Sequence, residues 1–253
     1  MKLCYHITFF YNENRIKYLL RIINEANKYD YKTDIFIHTN INFQINNLIE
    51  YKNGNINIIV HNLENINPFK LTWLSRDLIK NQINDYDIFI YSEDDLLIYN
   101  ETLSYWNNNK NICLDNNYNL GFLRIEYINL DDIYITDISS KFAKEDIIKI
   151  NNKKFLLNNK NPYCGFWIYD KNIMKKFIKS EYYNLKNIKG YELRETSAIG
   201  LNGKYTNFFY GTLLPLNGLN QINNLCYVHH MPNNYIDKKS KYGKININNL
   251  FYL

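Results

Sequence analysis

The chain has 253 residues, 46% of them hydrophobic and 16% aromatic, which excludes general disorder and leaves room for a sizeable core. Thirty basic against 25 acidic residues give a formal charge of +5 without any Lys/Arg block, which disfavours a nucleic-acid binder. No apolar run reaches the roughly 18–20 residues of a membrane helix, and the four scattered cysteines form no CxxC pair, so neither a zinc pattern nor a disulfide framework is indicated.

Leu3–Phe10 is a near-continuous apolar run, as expected for a strand covered on both faces. It lacks a small-residue cleavage site and runs straight into Asn12, Glu13, Asn14 and Arg15, so it reads as a first strand rather than a signal peptide. A soluble, cytoplasmic protein in a reducing compartment is expected. Arg15–Lys28 places Ile16, Leu19, Leu20, Ile22 and Ile23 on a broad helical face. Asp34–His38 and Asn55–His61 are second and third strands. Asn67 and Pro68 read as the N-cap and first position of a helix running to about Ile83. Asp87–Tyr91 is a fourth strand, ending in Ser92-Glu93-Asp94-Asp95. This alternation predicts an α/β fold with a mainly parallel central sheet flanked by helices.

The second half is less regular. Gly121–Ile128, Tyr134-Ile135, Lys154–Leu157 and Cys164–Tyr169 read as strands. Asp170 is an N-cap for a helix carrying Ile173, Met174, Phe177 and Ile178, and Gly190–Leu201 is a further helix. The tail from Asn202 is expected to wrap the surface. No linker stands out, so a single domain is expected, with a nucleotide-type half over about 1–100 and a mixed half over about 101–253. Asn occurs 44 times, beside abundant Ile, Lys and Tyr. Their codons are AT-rich, which points to a genome of that bias, viral or otherwise. Asn by itself is therefore a weak turn signal here.

Chemistry concentrates at Glu93-Asp94-Asp95. Ligands of open α/β sheets bind at the carboxyl edge, where these acids fall. Adjacent carboxylates repel unless a cation lies between them, and a hard divalent ion bridges carboxylates to phosphates. A metal–diphosphate site is the functional reading, a solvated acidic turn the plain one. His229 and His230 follow the apolar Leu225–Val228 and are either metal ligands or hydrogen-bonded histidines. Glu192 and Glu195 share a helical face with Arg194 between them, and could supply a general base or form a solvated face. Arg76 could grip phosphate or pair with neighbouring charges. Tyr11 and Asn12 fall where a nucleotide base is often held. Tyr163, Phe166 and Trp167 could line a sugar site or pack the core. No GxGxxG, P-loop or GxSxG is present, which removes support for nicotinamide, P-loop ATPase and α/β-hydrolase chemistry.

The βαβ units, the SEDD that follows DIFIY, and a His near the C-terminus resemble the GT-A (Rossmann-like) glycosyltransferases. PFKLTWLSRDLIK, GFLRIEY, NPYCGFWIYDK, RETSAIGL and HHMPNNY extend that likeness to a glycosyltransferase-like family over most of the chain. The resemblance implies a DxD-type motif at Glu93-Asp94-Asp95 with Asp95 as the direct ligand of Mn²⁺ or Mg²⁺. Glu93 and Asp94 would contact sugar or ribose, and His229 or His230 would complete the metal shell. Glu195, or else Glu192, would be the catalytic base. Tyr11, Asn12 and Arg76 would serve the donor, a UDP- or GDP-sugar, and the acceptor would be a glycan or glycoconjugate hydroxyl. The alternatives are a nucleotidyltransferase acting on a sugar phosphate and a non-catalytic sugar- or nucleotide-binding module.

Overall fold

In the computed structural model the residues described are 1–45, 47–129, 132–184, 188–202, 206–237, 239 and 241–252. They form two compact units: Met1–Asn100 with Gly165–Gly200, and Glu101–Cys164 with Leu201–Leu253.

In the first unit, strand β1 (Lys2–Thr8) is buried from Leu3 onward, β2 (Lys32–Thr39) from Thr33 onward, and β4 (Ile88–Glu93) along its whole length. Such strands are apolar on both faces because helices cover both faces. β3 (Ile56–Val60) is the half-buried edge. Helix α1 (Glu13–Ala26) is capped by the Asn12 side chain, which accepts from Asn14 N. Its stripe Leu19, Ile22, Ile23 and Ala26 is fully buried, each large member contributing about 1.5–3 kcal/mol. Asn67 caps as expected, but the helix it opens is split. A 3-10 turn at Pro68–Trp73 precedes α2 (Arg76–Asn81). The backbone changes register there: Leu74 N reaches back three residues to Leu71 O, and Ile79 N four residues to Ser75 O.

β4, β1, β2 and β3 are mutually parallel, and β5 (Phe166–Asp170) joins antiparallel beside β4, giving the order β5-β4-β1-β2-β3. The segment Gly165–Gly200, expected with the second half, thus belongs to the first unit. Trp167 of β5 stacks on Tyr91 of β4 at 5.6 Å, and Phe166 and Trp167 are core residues rather than a sugar platform. Gly165, at φ +77°, must be glycine, since a Cβ would come within 2.5 Å of Leu96; its carbonyl accepts from Glu93 N and fixes the end of β4. Helices α3 (Lys171–Lys179), capped by Asp170, and α4 (Leu193–Ile199) complete the unit.

Strands leave β1 in one direction through β2 to β3, then return to its other side at β4. The carboxyl ends of β1 and β4 therefore flank the point where strand order reverses, with Thr8 and Glu93 as register partners. Ligand crevices of open α/β sheets form at such a point.

Three histidines of this unit are joined in series. His6 Nε2 lies 3.0 Å from Gln82 Oε1, His6 Nδ1 2.9 Å from His38 Nε2, and His38 Nδ1 2.8 Å from His61 Nε2. With Gln82 Oε1 accepting, every ring carries its proton on Nε2. Burial lowers His6 to about 3 and carries His38 and His61 below the usual imidazole value.

The second unit carries the helix Asn100–Leu114, for which the sequence reading had no element. One sheet orders Asn119–Leu120, Thr212–Pro215, Lys153–Leu157 and Ile147–Ile150; another includes Ile245–Asn246, Ile133–Ile135, Leu123–Tyr127 and Tyr227–His230 in that order. The tail is therefore not a surface wrap: three of its segments enter sheets. All seven non-glycine residues at positive φ among the described residues are Asn, which tolerates the left-handed region better than other side chains. No described helix is long and apolar enough to cross a membrane.

Candidate functional site

The switch point of the first unit opens into a cavity of about 350 Å³, a size suited to a small ligand. Thr8 and Glu93 line it from the strand ends, Asn12 and Arg15 from the start of α1, Phe69 from the 3-10 turn, and Arg194 from α4. Phe10 and Phe69, 46% and 51% exposed, give it two accessible aromatic faces. A larger cavity of about 540 Å³ in the second unit is walled mainly by Asn and aliphatic groups and carries no charged side chain. Chemistry therefore concentrates at the smaller one.

Glu93, Asp94 and Asp95 are each only 7% exposed, so this is not a solvated turn. Arg15 holds two of them together. Its Nε donates to Asp94 Oδ2 at 2.7 Å, and its Nη2 donates to Asp94 Oδ1 at 2.7 Å and to Asp95 Oδ2 at 2.8 Å. Arg194 Nε lies 3.7 Å from Glu93 Oε1, and its guanidinium sits 5.8 Å from the Phe69 ring. Burial pushes the Asp94 carboxyl up to about 7, against the downward pull of Arg15. Arg15 itself is raised: burial lowers it, but the hydrogen bond and charge of Asp94, with those of Asp95, outweigh that.

A divalent ion takes six or more oxygen ligands, or keeps water in their place. Both oxygens of Asp94 and one of Asp95 are already engaged by a guanidinium. Among the described residues, no group of three or more His, Cys, Asp or Glu is arranged to hold a metal ion. As folded, three of the four oxygens of Asp94 and Asp95 serve Arg15 and would have to be released before Mn²⁺ or Mg²⁺ could use them.

His229 and His230 lie in the second unit, on Tyr227–His230, where successive side chains point to opposite faces. His230 Nδ1 is 2.6 Å from Glu126 Oε1, and His229 Nε2 is 3.1 Å from Asn233 Oδ1. Glu126 is fully buried and also accepts from the backbone N–H groups of Asn234, Tyr235 and Ile236.

The other expected residues divide. Asn12 lines the cavity while capping α1. Tyr11 packs against Phe43 at 5.5 Å, and its N–H donates to Asn40. Arg76 does not line the cavity. It is 5% exposed, its Nη2 donates to Ser197 O, and rings of Trp73, Trp167, Phe177 and Tyr183 lie within 4.8–5.5 Å of its guanidinium. Glu195 Oε2 accepts from Glu192 N at 2.8 Å and closes the first turn of α4, while Glu192 is exposed. Phe10, Arg15, Phe69 and Arg194 were missed as site residues. Arg15 had a signal in the sequence: a cation in the first turn of a helix directly after β1, where the helix dipole disfavours it.

No protein-family model matches the chain, and no curated protein is similar to it in sequence. Among solved structures, the chain is similar to S. aureus TarS 1–349 in complex with UDP-GlcNAc, at 13% identity and a TM-score of 0.47. The likeness covers 84% of this chain and 55% of that one, so this chain spans about half the length of that structure.

Proposed function

We propose that the first unit is the donor-binding part of a GT-A-type glycosyltransferase, taking a nucleoside-diphosphate sugar into the switch-point cavity. The observation that carries this is the pairing of Thr8 and Glu93 at the strand-order reversal, with an acidic strand end, two guanidiniums and two exposed phenyl faces around one cavity. The nucleobase stacks against Phe10 or Phe69, as apolar faces at a cavity mouth favour. The diphosphate meets Arg194, whose side chain is 44% exposed. Glu93 accepts hydrogen bonds from ribose or sugar hydroxyls. The acceptor hydroxyl oxygen bonds to the anomeric carbon as the bond from that carbon to the diphosphate oxygen breaks, the nucleoside diphosphate leaves, and Glu195 or Glu192 is the candidate for taking the hydroxyl proton.

Thermal unfolding with a panel of nucleoside diphosphates and nucleotide sugars tests this. A ligand at about 100 times its dissociation constant stabilises by about 2.7 kcal/mol, a readable shift. Stabilisation by one nucleotide, lost in Glu93→Gln, supports the reading. A well-folded protein that responds to none of them overturns it.

A further inference from the structure

We infer that Arg15 is the resident cation of this acidic strand end: it takes the place of a divalent ion on Asp94 and Asp95, and the cavity binds a nucleoside diphosphate without metal. The second half of this inference rests on the donor-site reading; the first half does not.

The geometry is that of a fork. Two parallel N–H···O bonds of 2.7 Å fasten Asp94, and the same Nη2 bridges to Asp95 at 2.8 Å. Bidentate guanidinium–carboxylate pairs are among the strongest charge-assisted contacts. Both carboxylates are about nine-tenths buried, while Arg15 is 33% exposed at the cavity wall. Two adjacent buried carboxylates need a positive neighbour, and here a side chain of the same unit supplies it. Its position supports the assignment. Arg15 lies in the first turn of α1, where a cation is disfavoured by the helix dipole by a few tenths of a kcal/mol or more. The two carboxylates more than offset that. The fork takes both oxygens of Asp94 and Oδ2 of Asp95, so a metal ion on any of these three would have to break it first.

The consequence for the cavity is a division of labour. Arg15 removes the repulsion that Asp94 and Asp95 would exert on an incoming diphosphate. Arg194, across the cavity wall beside Glu93, is the cation assigned to the phosphates themselves.

The test uses Mn²⁺ alone, followed by electron paramagnetic resonance of the free ion. The native protein is expected to show no saturable Mn²⁺ site, Arg15→Gln to gain one, and Arg15→Gln/Asp94→Asn to lose it again. Circular dichroism confirms that each variant is folded. Saturable Mn²⁺ binding by the native protein that Asp95→Asn abolishes overturns the inference. So does a folded Arg15→Gln variant that gains no site. Calorimetric titration with UDP and GDP in EDTA gives the second readout. Binding that is unchanged by adding Mn²⁺ supports metal independence, and binding seen only with Mn²⁺ overturns it. If neither nucleotide binds in either condition, the donor reading fails, and the Mn²⁺ titration alone decides the role of Arg15.

Discussion

His6 Nδ1 lies 2.9 Å from His38 Nε2, in the middle of a three-imidazole series that begins at Gln82 and ends at His61. His6 and His38 must stay neutral, because a second proton on either would turn an acceptor into a donor facing another donor. Burial holds His6 down at about 3, and His38 is lowered first by burial and then by the neighbouring imidazoles. The folded state thus binds fewer protons than the unfolded one below the ordinary imidazole value. Stability is complete above about pH 6.5 and declines as pH falls toward the folded values. His6 alone would remove about 2 kcal/mol by pH 5. Urea denaturation at pH 7.5 and 5 measures this, and an unchanged midpoint would show that the series does not titrate with unfolding.

Arg76 is a buried cation with no carboxylate beside it among its hydrogen-bond partners; its Nη1 is buried without one. Burial holds it below the usual guanidinium range. The Ser197 carbonyl that it serves also accepts from Trp167 Nε1 at 3.2 Å, so removing Arg76 does not orphan that oxygen. Arg76→Met is expected to change stability by less than about 1 kcal/mol in either direction, because lost cation–π contact offsets relieved desolvation. Arg76→Ala leaves a cavity among four rings and should cost about 3 kcal/mol or more. Nucleotide affinity should be unaltered in Arg76→Met, measured by calorimetry. A large loss of affinity there would restore the phosphate role that the sequence alone allows.

The strand–helix alternation of the first unit was legible because each strand is short, apolar and closed by a polar cap, and the acidic strand end stood out by its position. Three things were not. The partner of Asp94 and Asp95 is 79 and 80 residues away, and the one local sign of Arg15, a cation in the first turn of a helix, does not say which acids it serves. Helix Asn100–Leu114 escaped because Asn107–Asn109 and Asn111 interrupt its apolar pattern in a chain where Asn is everywhere. Two strands of the tail, Thr212–Pro215 and Ile245–Asn246, escaped for the same reason: the tail is rich in Asn turns, where Asn207, Asn220 and Asn233 occupy the left-handed region. Asn was a weak signal on its own, yet in the structure it caps α1 and the 3-10 turn at Pro68, and it supplies every positive-φ position not taken by glycine.

Glu126 organises the second unit. Its carboxylate is fully buried, accepts three consecutive backbone N–H groups from Asn234 to Ile236, and faces His230 at 2.6 Å. Burial works to raise it, but the His230 contact and the backbone bonds carry it below its ordinary value. This contribution is present above the ordinary glutamate value and is lost as pH falls through the folded one. Glu126→Gln replaces an acceptor oxygen with a donor amide facing N–H groups and should cost about 3 kcal/mol. Amide exchange should accelerate at Asn234, Tyr235 and Ile236. Unchanged protection at those three would mean that the backbone there is held by other contacts.

Arg194 separates the donor reading from a merely structural acidic site. It stands at the cavity wall with Nε 3.7 Å from Glu93 Oε1, and its side chain is 44% exposed. Arg194 is 44% exposed although Glu93 is buried, so Arg194→Gln should cost about 1 kcal/mol of stability or less. If the diphosphate meets this guanidinium, the same variant should lose about tenfold in nucleoside-diphosphate affinity, or about 1.4 kcal/mol. The loss should be larger at low salt, where a partly exposed charge is least screened. Arg194→Lys keeps the charge without the fork and should recover part of the affinity. Wild-type affinity in Arg194→Gln at low salt would remove this residue from the phosphate site and leave the cavity without an assigned cation for its ligand.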